Sequence, residues 1–408
     1  MVSKEGHTDI VNLLLNWNSD VDQCDNDGCS PLYWPCYKGK TDIVRLLLEK
    51  NPNVNLINKN GCSPLYWASY KGHTDIVRLL VERNPNVNQL NNDGWSPLYW
   101  ATYKGHTDIV KLLLELNPNV NLCYNDGCSP LYIASQEDHT DIVKLLLEQD
   151  PNINLCDNDG CSPLYMASQE GNTDIVKLLL ENDSNVDICN KAGFTPLSMS
   201  CIGNHYYIVQ LLITHKPNIN AQTYDGGNAL YFCAKNGNLD ITKLLLKNNA
   251  DWYVCIHSEL FIKDTVTKNP GITLDKEKQS LCDSLVKNTS LHVKDYVNKK
   301  SVDYAFNVVA GSSPLHIACF MGRIDVVRCL LDYNANINIS KEDGTTPLIY
   351  ACEVGHEDIV RLLLNKGADT QISKLDGQSP LHIATNNGYT SIVVLLTEQT
   401  KKEDKISS

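Results

Sequence analysis

Histidine, cysteine and aspartate recur along this 408-residue chain, and their spacing decides what chemistry they can do. His7, His73, His106, His139, His205 and His356 share one slot of a repeating unit, which Lys40, Asn172 and Arg323 also fill. A general base or a metal ligand acts at one place. A histidine copied at intervals of one repeat therefore reads as structural, hydrogen-bonded at a helix start. Asp9, Asp42, Asp75, Asp108, Asp141 and Asp174 recur in Thr-Asp-Ile-Val, where an acid complements the helix dipole and needs no catalytic role. Three pairs, Cys24/Cys29, Cys123/Cys128 and Cys156/Cys161, each straddle a turn. A disulfide across such a turn is geometrically conceivable. A zinc site needs four ligands around one ion, and neighbouring repeats stack about 10 Å apart, too far for sharing. The pairs read first as free thiols at tolerant surface slots, with a redox-responsive module as an alternative.

Aromatic and basic residues form a second pattern. Tyr37, Tyr70 and Tyr103 recur beside Lys38, Lys71 and Lys104, and Trp95 stands near a turn tip. These types are common at binding hot spots, so these seven residues are the expected partner contacts. The competing reading is that recent duplication copied an unimportant sequence. In the next two repeats the pairs become Gln136-Glu137 and Gln169-Glu170, turning the face polar and acidic. Trp34, Trp67 and Trp100 share a slot with Ile133, Met166 and Ile317, which points to packing between repeats. Nucleophile elbows, Walker loops, H-E-x-x-H and Rossmann fingerprints are absent. The expectation is no enzyme, no cofactor, no metal and no small-molecule substrate.

The elements that must position these residues come from the repeat itself. Pro-Leu recurs every 33 residues at Pro31, Pro64, Pro97, Pro130, Pro163 and Pro196, and again at Pro314, Pro347 and Pro380. A glycine stands three residues before each slot, as Gly61 does before Pro64. Asn58-Lys59-Asn60-Gly61 reads as a turn. Ser63 is an N-cap and Pro64 the first helical residue. Gly72 ends this short helix in the left-handed conformation, and Asp138 and Asn204, which tolerate it, fill the same slot elsewhere. A second helix follows, with Ile76, Val77, Leu79, Leu80 and Val81 as its apolar face, and Asn84-Pro85 stops it. Ordering 33 residues costs about 50 kcal/mol at ~1.5 per residue, so one helix pair cannot fold alone and the array is the folding unit.

Ser313-Pro314-Leu315-His316-Ile317-Ala318, Thr346-Pro347-Leu348 and Asp358-Ile359-Val360-Arg361-Leu362-Leu363-Leu364 resemble the ankyrin repeat family, over roughly 85% of the chain. The resemblance implies an all-α solenoid of stacked helix-turn-helix pairs with short β-hairpin-like turns. It also implies partner proteins gripped on a concave face of turn tips and first helices. The family histidine survives at His316 and His382. Tyrosine replaces it at Tyr33, Tyr66, Tyr99, Tyr132, Tyr165 and Tyr231, whose hydroxyls need another partner or water.

The expected organisation is a truncated first repeat at 1–24, seven repeats at 25–255, degraded repeats or an insert at 256–307, three repeats at 308–400 and a polar tail at 401–408. In the middle stretch Thr289-Ser290-Leu291-His292 looks like a worn repeat motif. Leu274, Leu281, Cys282, Leu285 and Val286 fall on one helical face. The leading expectation is that this stretch continues the stack, and an irregular hinge is the alternative. Residues 1–6 align with Met166–Gly171, inside a first helix, which suggests a fragment of a longer protein. The chain carries a net charge of −13, which gives no attraction to nucleic acid. It has no apolar run of the ~18 residues that a membrane span needs and no signal-peptide core. Its 16 cysteines then read as thiols in a reducing compartment, so sequons at Asn182 and Asn288 carry little weight. The reading is a cytoplasmic protein-binding scaffold or adaptor. The alternative is a sensor or recognition tail of a larger signalling or immune receptor, or of an enzyme.

Overall fold

The computed structural model describes residues 2–17, 19–257, 278–280, 283, 285–287 and 289–407. Among them every regular element is a helix and no strand occurs. The expected hairpins are tight turns: the Asn58 N–H donates to Cys62 O at 3.1 Å and the Gly61 N–H to Asn58 O at 2.9 Å. Residues 58–90 show how each repeat is built. Ser63 is extended and its hydroxyl accepts the Tyr66 N–H at 3.1 Å, starting helix Pro64–Lys71. Gly72 ends that helix at φ 77°. Helix Thr74–Val81 follows, burying Ile76, Val77 and Leu80, and Asn84 at φ 49° stops it. Ser63→Ala should destabilise the array by about 1 kcal/mol, the worth of one N-cap, read as a lower urea midpoint at unchanged slope.

One repeat departs from this plan. Its first helix spans Tyr33–Lys38, whereas the next begins at Pro64, the equivalent of Pro31. Pro35 lacks the N–H that would bond the Pro31 carbonyl, so the first turn does not close. The Ser30 hydroxyl, equivalent to that of Ser63, is buried with no hydrogen-bond partner among the described residues.

The chain divides into two units, Met1–Lys191 and Ala192–Ser408. In the first, helix pairs stack in sequence order and three kinds of bond join neighbours. Turn tips link backbone to backbone, as Lys59 N–H to Asp27 O at 2.9 Å. Exit loops link through asparagine, as Asn86 N–H to Asn55 Oδ1 at 2.7 Å. The recurrent histidines make the third link, which corrects the expectation of helix-start bonding. None caps its own helix; His73 Nε2 donates back to Tyr37 O at 3.2 Å and His139 Nε2 to Tyr103 O at 3.3 Å.

In the second unit, helices Ala229–Asn236 and Leu239–Lys247 pack directly on Pro314–Phe320 and Ile324–Asp332, although the chain between them is long. Arg323 Nε donates to Lys235 O at 3.2 Å, as the histidines do elsewhere. The expectation that the middle stretch continues the stack is therefore corrected. Its described helices Leu291–Asn298 and Val302–Val309 lie instead against Phe320 and Glu353. Helix Leu291–Asn298 buries only Val293 and Val297, too narrow a face for a layer packed on both sides. Leu285 is buried and Val286 half-buried, while Leu274, Leu281, Cys282 and the sequon residue Asn288 lie outside the described residues, as does Met1. The last helix runs from Thr390 to Ser407, so the expected polar tail is helical where described.

Candidate partner-binding face

Each first helix of residues 25–123 ends in a tyrosine, a lysine and a glycine turn. The histidine of the following repeat holds the tyrosine's carbonyl: His73 on Tyr37, His106 on Tyr70 and His139 on Tyr103. Burial holds the His106 imidazole below the ordinary histidine range, keeping it a neutral donor to that carbonyl. The rungs are thus fixed from behind by the next layer.

Tyr37, Tyr70 and Tyr103 are half-buried and Lys38, Lys71 and Lys104 exposed. Trp67 fits between the first two tyrosines, 4.9 Å from Tyr37 and 5.6 Å from Tyr70, near-perpendicular to both. Trp100 sits likewise between Tyr70 at 4.5 Å and Tyr103 at 5.6 Å. Lys71 Nζ lies 4.8 Å from the Tyr37 ring centre and 5.0 Å from that of Tyr70. Lys104 Nζ lies 5.5 Å from Tyr70 and 5.0 Å from Tyr103. Edge-to-face pairs contribute about 0.5–1.5 kcal/mol each and exposed cation–π contacts about 0.5–1, so the ladder is ordered before any partner arrives. Trp95 stacks on Trp100 at 4.3 Å and 12°. All seven expected contact residues thus lie on or beside one ladder, with Lys38 at its first rung.

Sequence reasoning placed the tryptophans in packing between repeats, as found, but missed their part in the ladder. Trp34, Trp67 and Trp100 are half-buried against the buried Tyr33 and Tyr66, whereas Ile133, Met166 and Ile317 in the same slot are buried. The indole, larger than isoleucine, reaches the tyrosines of the ladder. The available signal was the i,i+3 spacing of Trp67 and Tyr70, which puts both rings on one helix face.

The substituted tyrosines find partners one layer on. Tyr66 Oη accepts from Trp100 Nε1 at 2.7 Å and Asn91 Nδ2 at 3.3 Å; Tyr33 Oη accepts from Asn58 Nδ2 at 3.1 Å. Tyr132 Oη donates to Asp157 Oδ2 at 2.9 Å. Tyr231 Oη, fully buried, has no hydrogen-bond partner among the described residues. His316 keeps the family arrangement, bonding Ser313 and Thr345.

In the second unit two rungs of the same register are covered, while Ile202 is half-buried and Asn386 exposed. Phe320 and Glu353, equivalent to Tyr37 and Tyr70, are 0% and 8% exposed. The helix pair of residues 291–309 holds on by His292 Nε2 to Val354 O at 2.7 Å, Tyr304 Oη to Glu353 Oε1 at 3.1 Å, and Lys341 Nζ to Asn307 O. Tyr350 Oη adds a bond to Val308 O at 3.1 Å.

The turn cysteines are not surface thiols as expected: Cys29 and Cys161 are buried and Cys24, Cys123, Cys128 and Cys156 half-buried. Burial pushes the Cys29 thiol up to about 11 and those of Cys128 and Cys161 to about 12, leaving little thiolate for exchange at neutral pH. Among the described residues no group of three His, Cys, Asp or Glu could hold a metal ion. No helix among them is long and apolar enough to cross a membrane.

First helices and turn tips, repeated layer on layer, define a helical-repeat protein. The family model described as ankyrin repeats in three copies matches residues 1–90, 51–123, 84–157, 116–190, 164–254, 276–374 and 340–406. The chain belongs to the ankyrin-repeat family, whose members are generally protein–protein interaction modules. The match at 276–374 includes the helix pair of residues 291–309, which keeps the family pattern while standing outside the stack. No curated protein matches the chain.

Proposed function

We propose that this chain is a non-enzymatic scaffold or adaptor that docks a partner protein on the ladder of its first unit. One observation carries the reading. Rings and lysines of three successive repeats form a continuous, half-exposed surface there, while Phe320 and Glu353 in the equivalent register are buried under the helix pair of residues 291–309. Tyrosine, tryptophan and a cation held in place before binding supply contact area at low entropic cost.

The test is partner capture with the wild-type chain, with Tyr37→Ala/Tyr70→Ala/Tyr103→Ala, and with Gln136→Ala/Gln169→Ala, all at matched helical content. A hot-spot ring is worth about 2 kcal/mol or more, so the triple variant should lose its partner at least about a hundredfold while the glutamine variant keeps it. Retention by the triple variant would move the site off the ladder.

A further inference from the structure

We infer that the ladder reads an acidic, proline-rich segment in the polyproline II conformation, with one carboxylate per repeat; this rests on the docking reading above and adds the chemistry of the partner. Three observations converge on it.

The first is charge. The chain as a whole is acidic, at −13, yet the ladder carries Lys38, Lys71 and Lys104 in the same slot of successive repeats. Lys71 and Lys104 each stand between two tyrosine rings. The nearest acids by sequence, Asp42, Asp75 and Asp108, stand four residues after the lysines, exposed in the first turn of each second helix. Glu137 and Glu170 take over the lysine slot beyond the third rung. The charged groups seated on the tyrosine rings are thus ammonium groups, complementary to an anionic segment of about the ladder's own length.

The second is spacing. Neighbouring layers of packed helices lie about 8–10 Å apart, so the ammonium groups recur at about that interval. A polyproline II helix repeats every three residues at about 3.1 Å per residue, which returns a side chain to the same face at a matching interval. A strand returns a side chain every second residue, at about 6.6 Å, and misses the rungs.

The third is hydrogen bonding, and it separates polyproline II from an α-helix, whose seventh residue recurs at about 10.5 Å. The hydroxyls of Tyr37, Tyr70 and Tyr103 make no hydrogen bond to another described residue, unlike those of Tyr33, Tyr66 and Tyr132. They are donors set one per repeat. An α-helix spends its carbonyls internally, whereas polyproline II leaves every carbonyl free. Aromatic-lined grooves suit this conformer because it is already extended and loses little entropy on docking.

Trp67 and Trp100 lie in the ladder, so tryptophan emission reports binding. The probe is the peptide (Pro-Pro-Glu)5, compared with (Pro-Pro-Pro-Glu)4, (Pro-Pro-Lys)5 and an alanine-rich helical peptide bearing glutamate at every seventh position. The expected result is saturable binding of (Pro-Pro-Glu)5, at least tenfold tighter than each of the other three. Lys71→Glu/Lys104→Glu should weaken it at least tenfold, and Tyr70→Phe about fivefold, with unchanged helical content. A helical peptide that binds as tightly, indifference to the four-residue spacing, or affinity unmoved by the lysine reversals would overturn the inference. If none of the peptides binds while the triple-alanine variant still loses its captured partner, the polyproline chemistry fails and the docking face stands. If that variant keeps its partner, the docking face itself fails.

Discussion

Replacing Gly72 by alanine should destabilise the first unit by about 2–3 kcal/mol, far more than an ordinary surface substitution. Gly72 sits at φ 77°, where a side chain costs about 1–2 kcal/mol. A Cβ there would also stand 2.8 Å from His106 Cε1 and 2.9 Å from Nε2. The ring must move, and its bond to the Tyr70 carbonyl goes with it, for about 1 kcal/mol more. The same close approach occurs at Gly39 with His73, Gly105 with His139 and Gly322 with His356. Where the partner is the shorter asparagine, the slot holds a non-glycine residue: Asp138 at φ 59° faces a layer in which Asn172 Nδ2 donates to Ser135 O at 2.9 Å. Asn204 at φ 60° faces one in which Asn238 Nδ2 donates to Cys201 O at 2.7 Å. Glycine and histidine are therefore one device and should couple. In urea unfolding of Gly72→Asn, His106→Asn and the double variant, the double should be about 1 kcal/mol more stable than the sum of the singles implies. Strict additivity would show that backbone strain alone accounts for Gly72.

Acid should loosen the second unit through His316. The residue is fully buried, and both ring nitrogens are used: Nε2 donates to Thr345 O at 3.0 Å, and Nδ1 accepts the Ser313 N–H at 3.3 Å. A proton on Nδ1 would face that N–H donor, and burial with Lys341 nearby holds the folded value down to about 3. Folding favours the neutral ring, so its stabilisation is fully present above the ordinary histidine value of about 6.5 and falls as pH drops toward the folded value. Between pH 6 and 4 this one group should remove about 2.5 kcal/mol. His356, also held low by burial, adds loss of the same sign. Asp343, held low with Lys341 nearby, acts only below about pH 4. His316→Tyr installs the residue that other repeats carry at this slot and does not titrate there. Urea midpoints across that range should show a shallower pH slope by close to one proton; an unchanged slope would place the acid sensitivity elsewhere.

The sequence by itself determined the repeat and nearly everything local to it. Ser63, Pro64, Gly72 and Asn84 act within a few residues of themselves, through caps and left-handed turns, so their roles follow from residue type and position. The three tyrosines and three lysines of the expected contact set stood out because duplication repeats their slots at a fixed interval, and the stack turns that interval into a row. What crosses from one layer to the next was not readable in the same way. The histidines reach backward to a carbonyl 36 residues earlier instead of capping their own helices. The tryptophans pack on the core cluster yet stay half-exposed, where isoleucine in the same slot is buried. The helix pair of residues 291–309 resembles a repeat, yet it lies on the face formed by Phe320 and Glu353. Residues 229–247 and 314–332 already satisfy each other, and the pair's first helix buries only Val293 and Val297. Periodicity specifies a unit and its neighbours, but which surfaces meet is decided by size and hydrogen-bond complementarity between layers, which only the tertiary structure brings into contact.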